Sequence, residues 1–374
     1  MSGTRGGGEL AGGEQAATPL LPRVLAQIER EGPMPVADYM ALCLLDPAGG
    51  YYTTREPFGA AGDFTTAPEI SQMFGELCAA WLVQAWHAMG APEDAAVVEI
   101  GPGRGTLMLD VARVLRRLAP ALLDRLHLVE ASPRLGALQR GRLEAAGVRA
   151  TWHASVEALP AAPRLIVANE LFDALPARQF VAVEGRWRER CVTARDGRLA
   201  FGTGVGTLDE PASLDGRPLP DGTIREVAPA REALMATLAA DLARHGGAFL
   251  TFDYGHARPG ALGDTLQAVR AHAPADPLEA PGEADLTTHV DFAALARAAR
   301  ATGAHVLGPI GQGAFLLGMG LLERAGALGA NADETGREAI RAAVDRLAGP
   351  DAMGELFRAM AVTATPIALE PFGN

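Results

Sequence analysis

The chain contains no lysine: all 33 of its basic residues are arginine. That absence excludes a lysine Schiff base and a lysine general base. Cysteine is scarce as well. Cys43, Cys78 and Cys191 are odd in number and far apart, so no disulfide framework or zinc spacing is present. The 8 histidines form no H-x-x-x-H pair or other ligand cluster, and no metal is expected. No apolar run approaches the ~20 residues of a membrane-spanning helix. A formal charge of −12 argues against a nucleic-acid backbone as partner and permits a basic substrate. Residues 1–18 lack the apolar stretch of a secretory signal, and Glu9 and Glu14 set them apart from acid-poor transit peptides. They read as a disordered tail. Heavy use of alanine, glycine and arginine fits a bacterial source, and the cysteine pattern fits a reducing cytoplasm.

What is present begins with Val97–Gly105, an apolar run that ends in Glu99-Ile100 and then alternates glycine at Gly101, Gly103 and Gly105. Alternate glycines permit positive φ and clear side chains from a backbone that must approach a ligand. A dinucleotide G-x-G-x-x-G motif needs glycine at position 106, where this chain has Thr106. The E-x-G-x-G-x-G spacing is instead the one associated with S-adenosylmethionine (SAM), and it makes an NAD(P)-dependent oxidoreductase the weaker reading. A second apolar run, Leu126–Val129, leads into Glu130, placed to accept both hydroxyls of a ribose. Between them Leu107, Val111, Val114, Leu115 and Leu118 carry helical spacing. Strand, glycine turn, helix, strand and acid make one half of a nucleotide-binding fold.

The remaining chain sorts around that unit. Helices are expected at Leu21–Ile28, Val36–Leu45 and about 70–89, giving an N-terminal helical extension over 19–92. Residues 93–330 alternate strand and helix, which predicts an α/β core: a Rossmann-like sheet, largely parallel, with helices on both faces. Its strands include 148–152, Arg164–Asn169 and Ala248–Asp253, with a closing hairpin from 304–310 and 314–319. An antiparallel insertion spans 178–228, where Glu184-Gly185 and Asp196-Gly197 mark hairpin turns. Residues 331–374 read as a C-terminal helical segment. Trp81, Trp152 and Trp187 read as core.

Ligands of such sheets bind beyond the carboxyl ends of the strands. The fourth strand ends at Asn169-Glu170, with Asp173 three residues on, and a helical turn would bring both carboxylates to one side. Two carboxylates can grip a guanidinium by forked hydrogen bonds, and they can equally cap a helix. Asn169 would contact the cofactor or orient Glu170. Thr65, Thr66 and Glu69, in a polar stretch from Gly62 to Ser71, either fold over the methionine end of the cofactor or form a plain capped loop. Asp253, at the fifth strand end, either meets substrate or satisfies backbone. Asp291 reads as a helix cap beside His289.

Several blocks, above all Gly62–Leu77, Glu99–Thr106 and Asn169–Phe180, with Asp253–Gly255 and Ala284–Phe292, resemble the SAM-dependent protein-arginine methyltransferases that assist assembly of respiratory complex I. Leu171 stands where that family usually has phenylalanine. The resemblance spans about Leu20 to Arg324. It implies a class I methyltransferase fold and SAM as cofactor, held by Glu99, Gly101, Gly103, Gly105, Glu130, Thr65, Thr66 and Asn169. It further implies catalysis by Glu170, Asp173 and Asn169, with substrate contacts from Glu69 and Asp253. The expected reaction is symmetric dimethylation of an arginine on the 49-kDa-type complex I subunit. A small-molecule methyltransferase and a SAM-binding chaperone without chemistry are the rivals.

Overall fold

The computed structural model describes residues 18–55 and 65–373. The tail expected before Thr18 and the Gly62–Phe64 end of the polar loop lie outside the described residues. The core strands are β1 (Ala96–Ile100), β2 (Leu126–Val129), β3 (Thr151–His153), β4 (Arg164–Asn169), β5 (Gly247–His256), β6 (His305–Gly311) and β7 (Phe357–Thr363). They form the main path of an eight-stranded sheet in the order β3-β2-β1-β4-β5-β7-β6. Strands β3 to β5 along this order run parallel, while β7 is antiparallel to both of its neighbours. The order reverses between β1 and β4, and the crevice at such a reversal is where a ligand can reach between diverging loops.

Helices cover both faces, for reasons legible in their apolar spacing. Helices α1 (Leu21–Glu31) and α2 (Val36–Leu45) precede the sheet, followed by α3 (Gln72–Ala88) and α4 (Thr106–Leu118). Helix α3 buries Phe74, Leu77, Trp81 and Leu82 and is capped by the Ser71 hydroxyl, which accepts from Met73 N at 3.2 Å. Leu107, Val111 and Leu115 of α4 join the same core, and Phe74 and Phe315 each meet Phe252 edge-on with centroids 5.0 Å apart. After α5 (Pro133–Ala145), α6 (Pro229–His245) and α7 (Phe292–Arg300) close the opposite face through Met235, Leu238, Leu242 and Leu295. The three-layer α/β/α arrangement is the expected fold class.

The insertion is built as its turn signals require. Strands Arg178–Val183, Arg186–Arg195 and Arg198–Thr203 pair antiparallel. Both central residues of each turn, Glu184-Gly185 and Asp196-Gly197, have positive φ, as primed hairpin turns demand. Met34–Pro35 adds to Arg186–Arg195, and α1 and α2 bury Val24, Tyr39, Met40 and Cys43 against Val192 and Leu199. The N-terminal extension is therefore packed onto the insertion.

Two expectations are corrected. The segment 314–319, expected as the second strand of the closing hairpin, lies in helix α8 (Gln312–Gly318); α9 (Leu321–Gly329) and α10 (Glu334–Ala348) follow. The true partner of β6 is β7, drawn from the stretch expected to be helical. Alanine, valine and methionine there are buried on both sides of the strand, so no two-residue alternation marks it. A further small sheet, 267–270, 273–275 and 285–287, also carried no clear signal.

Candidate functional site

Strand β1 delivers the glycine turn to the crevice. Gly101, Gly103 and Gly105 have φ of 66°, 54° and 78°, the left-handed region that side chains disfavour. A Cβ on Gly101 would lie 3.1 Å from Leu171 Cδ1, and one on Gly105 3.0 Å from Leu143 Cδ1. Glu99, expected among the cofactor contacts, is only 3% exposed. Its carboxyl accepts the Met108 amide near the start of α4, and burial raises its pKa well above the usual carboxylate range. It braces the turn from behind. Glu69, expected to meet substrate, accepts from the Thr106 hydroxyl and lies 3.8 Å from the Arg104 guanidinium. The polar loop is thereby fastened to the glycine turn.

Strand β2 delivers Glu130 to a cavity of about 410 Å³, whose walls include Ala131, Ser132, Ala137, Arg140 and Trp152. Ser132 N donates to Glu130 Oε1 at 2.8 Å, and Gln139 Nε2 donates to Oε2 at 2.9 Å. A carboxylate oxygen accepts more than one hydrogen bond, so both retain capacity for a diol. Gln139 also donates to Gly103 O at 2.9 Å and accepts from Trp152 Nε1 at 2.9 Å, tying turn, acid and aromatic wall together. Arg140 stacks over Trp152 at 4.6 Å. Trp152, expected in the core, is half-buried in this wall. An acid for hydroxyls, an aromatic face for a base and a turn free of side chains fit a nucleoside cofactor. Gln139, Arg140 and Trp152 escaped the sequence reading because none belongs to a short motif.

The ends of β4 and β5 carry an acid cluster. Glu170 adopts φ 51°, rare for a side-chain-bearing residue, while its amide donates to Phe252 O at 2.8 Å. Its Oε1 accepts from Asn169 Nδ2 at 3.0 Å and from the Ala67 amide at 3.4 Å. Thr66, which precedes Ala67, and Thr65 before it are thus brought beside the acids. Burial, then the charge of Asp173, raises the Glu170 pKa from 4.5 to about 7. Asn169 Oδ1 is buried with no hydrogen-bond partner among the described residues, leaving an acceptor for a cationic or N–H donor.

Asp173 is 5% exposed, and its pKa is raised by burial against the opposing pull of Arg231. Its neighbour Asp253 is fully buried, and its Oδ2 accepts from the amides of Leu171 and Phe172 at 3.1 and 2.8 Å. Asp253 thus anchors the backbone that carries Glu170 and Asp173. Burial and the Asp173 charge favour its protonated form. Arg231 sits beneath, donating to the carbonyl oxygens of Asp173, Leu175 and His289 at 2.8, 2.9 and 2.9 Å. Tyr52 reaches the same region from the N-terminal extension, its hydroxyl donating to Asp285 at 2.8 Å. Tyr254 stands edge-on to His289 with centroids 5.4 Å apart. Asp291 caps α7, accepting from Ala294 N at 3.0 Å, as its position in the sequence predicts.

Residues 77–310 match the sequence profile of a family described as "Putative S-adenosyl-L-methionine-dependent methyltransferase". The chain is 38% identical to the Drosophila melanogaster protein arginine methyltransferase NDUFAF7 homolog, mitochondrial, over 92% of its own length and 84% of that protein's. It is 35% identical to the human protein arginine methyltransferase NDUFAF7, mitochondrial, over 93% and 84% of the two chains. Among solved structures, a Burkholderia thailandensis protein bound to S-adenosyl-homocysteine superposes with a TM-score of 0.81 at 31% identity, covering 94% of this chain and 93% of that one. The glycine turn and Glu130 occupy the sheet crevice that such a cofactor requires. Similarity sustained across 92% of its length places the chain in the NDUFAF7 family of SAM-dependent methyltransferases.

Proposed function

We propose that the protein methylates an arginine side chain of a protein substrate. The observation that carries the reading is the group at the end of β4: Glu170 and Asp173 within mutual electrostatic influence, with the unpartnered Asn169 oxygen beside them. A guanidinium is planar, offers forked N–H donors and stays protonated to a pKa above ~12. Two carboxylates can fix its plane and orient one nitrogen. Glu170, with a pKa of about 7 before substrate enters, is suited to receive the proton that leaves as that nitrogen forms its new bond. When bound, SAM supplies the electrophilic methyl group. Glu130, the glycine turn and the Trp152 wall hold it in the adjoining crevice.

The names of the curated relatives favour arginine over other acceptors. The target we propose is the complex I subunit equivalent to the 49-kDa mitochondrial one, dimethylated symmetrically in a bacterial cytoplasm. The test is mass spectrometry of that subunit after co-expression with the enzyme or with its Glu170→Gln variant. Methylarginine formed only by the unaltered enzyme supports the reading. Modification of lysine, nucleic acid or a free metabolite instead refutes it.

A further inference from the structure

A second cavity, of about 800 Å³, opens beyond the carboxyl end of β5, between Gly255-His256 and the starts of α6 and α7. Arg231 lines it, and the same guanidinium donates to the Asp173 and Leu175 carbonyls. Cavity and acid cluster therefore share a wall. Its volume is in the range that encloses whole organic ligands rather than one side chain.

The charges in its walls are unevenly spent. Glu226 accepts from Gln179 and Thr265, Glu232 pairs with Arg297, and Asp291 caps α7. Glu355 reaches Arg358 through Nη1 only, at 3.7 Å. Apart from Glu355, held only by that long contact, what is left over is cationic or, in the case of His256, able to donate in one tautomer. Arg258 is exposed and has no carboxylate partner among the described residues. Arg358 Nε and His256 Nδ1 are buried without hydrogen-bond partners among those residues. The lip adds apolar surface, Leu262 being 37% and Leu356 50% exposed. In a protein with a net charge of −12, this is a place prepared for carboxylates beside an apolar side chain.

We propose that this cleft binds an acidic segment of the protein substrate that flanks the methylated arginine. Aspartate or glutamate would meet Arg258 and Arg358, and an apolar residue would rest on Leu262 and Leu356. The proposal rests on the protein-arginine reading above and supplies that reading with a rule for choosing among arginines.

The probe is a fluorescent peptide with one arginine flanked by leucine and several glutamates, together with its glutamine twin. Anisotropy with the full-length protein, saturated with S-adenosyl-homocysteine, measures binding. The acidic peptide is expected to bind at least tenfold more tightly than the twin. Arg258→Glu combined with Leu356→Ser, both at exposed positions, should abolish that preference without altering cofactor affinity or thermal midpoint. Arg258→Glu alone should favour a third peptide with arginines in place of the glutamates. Equal affinities for the acidic peptide and its twin, or an undiminished preference in the double variant, would overturn the cleft. Methyl transfer to the same peptides, with SAM in place of S-adenosyl-homocysteine, judges the underlying reading separately. Preferential binding without transfer to arginine overturns arginine methylation and leaves the cleft standing. Transfer indifferent to the glutamates does the reverse.

Discussion

Replacing Glu170 by glutamine should make the protein more stable and nearly inactive, with the stability gain confined to one side of a pH window. The argument starts from a carboxyl whose pKa is raised from 4.5 to about 7 by burial and by Asp173. In the unfolded chain the group loses its proton near 4.5, whereas in the folded protein it keeps it until about 7. Across that window the folded state binds more protons, so stability falls as pH rises and levels off above about 7. At ~1.4 kcal/mol per pH unit the displacement corresponds to at most about 3.5 kcal/mol. Glutamine cannot ionise and retains the Asn169 and Ala67 contacts on its oxygen. The variant should match the parent near pH 4.5 and exceed it by about 1–3 kcal/mol at pH 8.5. Methyl transfer should fall by ~10²-fold or more. Urea unfolding at the two pH values, run beside a labelled-SAM assay, reads both effects. A variant that is destabilised at pH 8.5, or that transfers methyl groups at the parent's rate, would refute the account of Glu170 as a strained, ionisable group.

Other substitutions separate the remaining parts of the site. Glu130→Ala should weaken SAM binding by about 1–3 kcal/mol in calorimetry, the scale of a lost charge-assisted hydrogen bond, and unchanged affinity would remove Glu130 from the cofactor site. Gly101→Ala places a side chain at φ 66° and 3.1 Å from Leu171 Cδ1, so cofactor affinity should fall together with about 1 kcal/mol of stability. Arg231→Met leaves the carbonyls of Asp173, Leu175 and His289 without their donor and should cost about 3–5 kcal/mol in denaturant unfolding. His127 is held down to about 4 by burial and by His153, so stability should decline as pH falls from 6.5 through about 4. His127→Asn should flatten that decline.

The parts of this molecule that were legible in its sequence are those where one local feature has one physical use. Positive φ at Gly101, Gly103 and Gly105, and at the two hairpin turns, is written into the residues that can adopt it. The apolar spacing of α4 follows from its single buried face. Strand β7 was illegible because burial on both sides erases the period that identifies a strand, and the same richness in alanine suits a helix. Trp152 failed for a related reason: an aromatic side chain is apolar enough for a core, and only the position of Gln139 turns it into a pocket wall.

The acid cluster shows how far a motif can be trusted. Glu170 and Asp173 do come within mutual electrostatic influence, but through a non-helical turn in which Glu170 has φ 51°, not through the helical turn their spacing suggested. The spacing says nothing of Asp253 and Arg231, which come from other elements and hold the turn on which those two acids ride. Asp253, equally acidic and equally close to the crevice, spends one oxygen on the Leu171 and Phe172 amides and is sealed from solvent. Glu99 is withdrawn in the same way behind the glycine turn. Four carboxylates at the ends of four parallel strands thus divide into two pairs. Glu130 and Glu170 keep some exposure and spare hydrogen-bonding capacity, and can meet ligands. Glu99 and Asp253 are buried and bonded to backbone, and fix the turns on which the ligand-facing groups depend. Residue type cannot make that division, because the chemistry of the side chain is the same on both sides of it. Burial and the direction of backbone N–H groups make it, and both are properties of the assembled sheet.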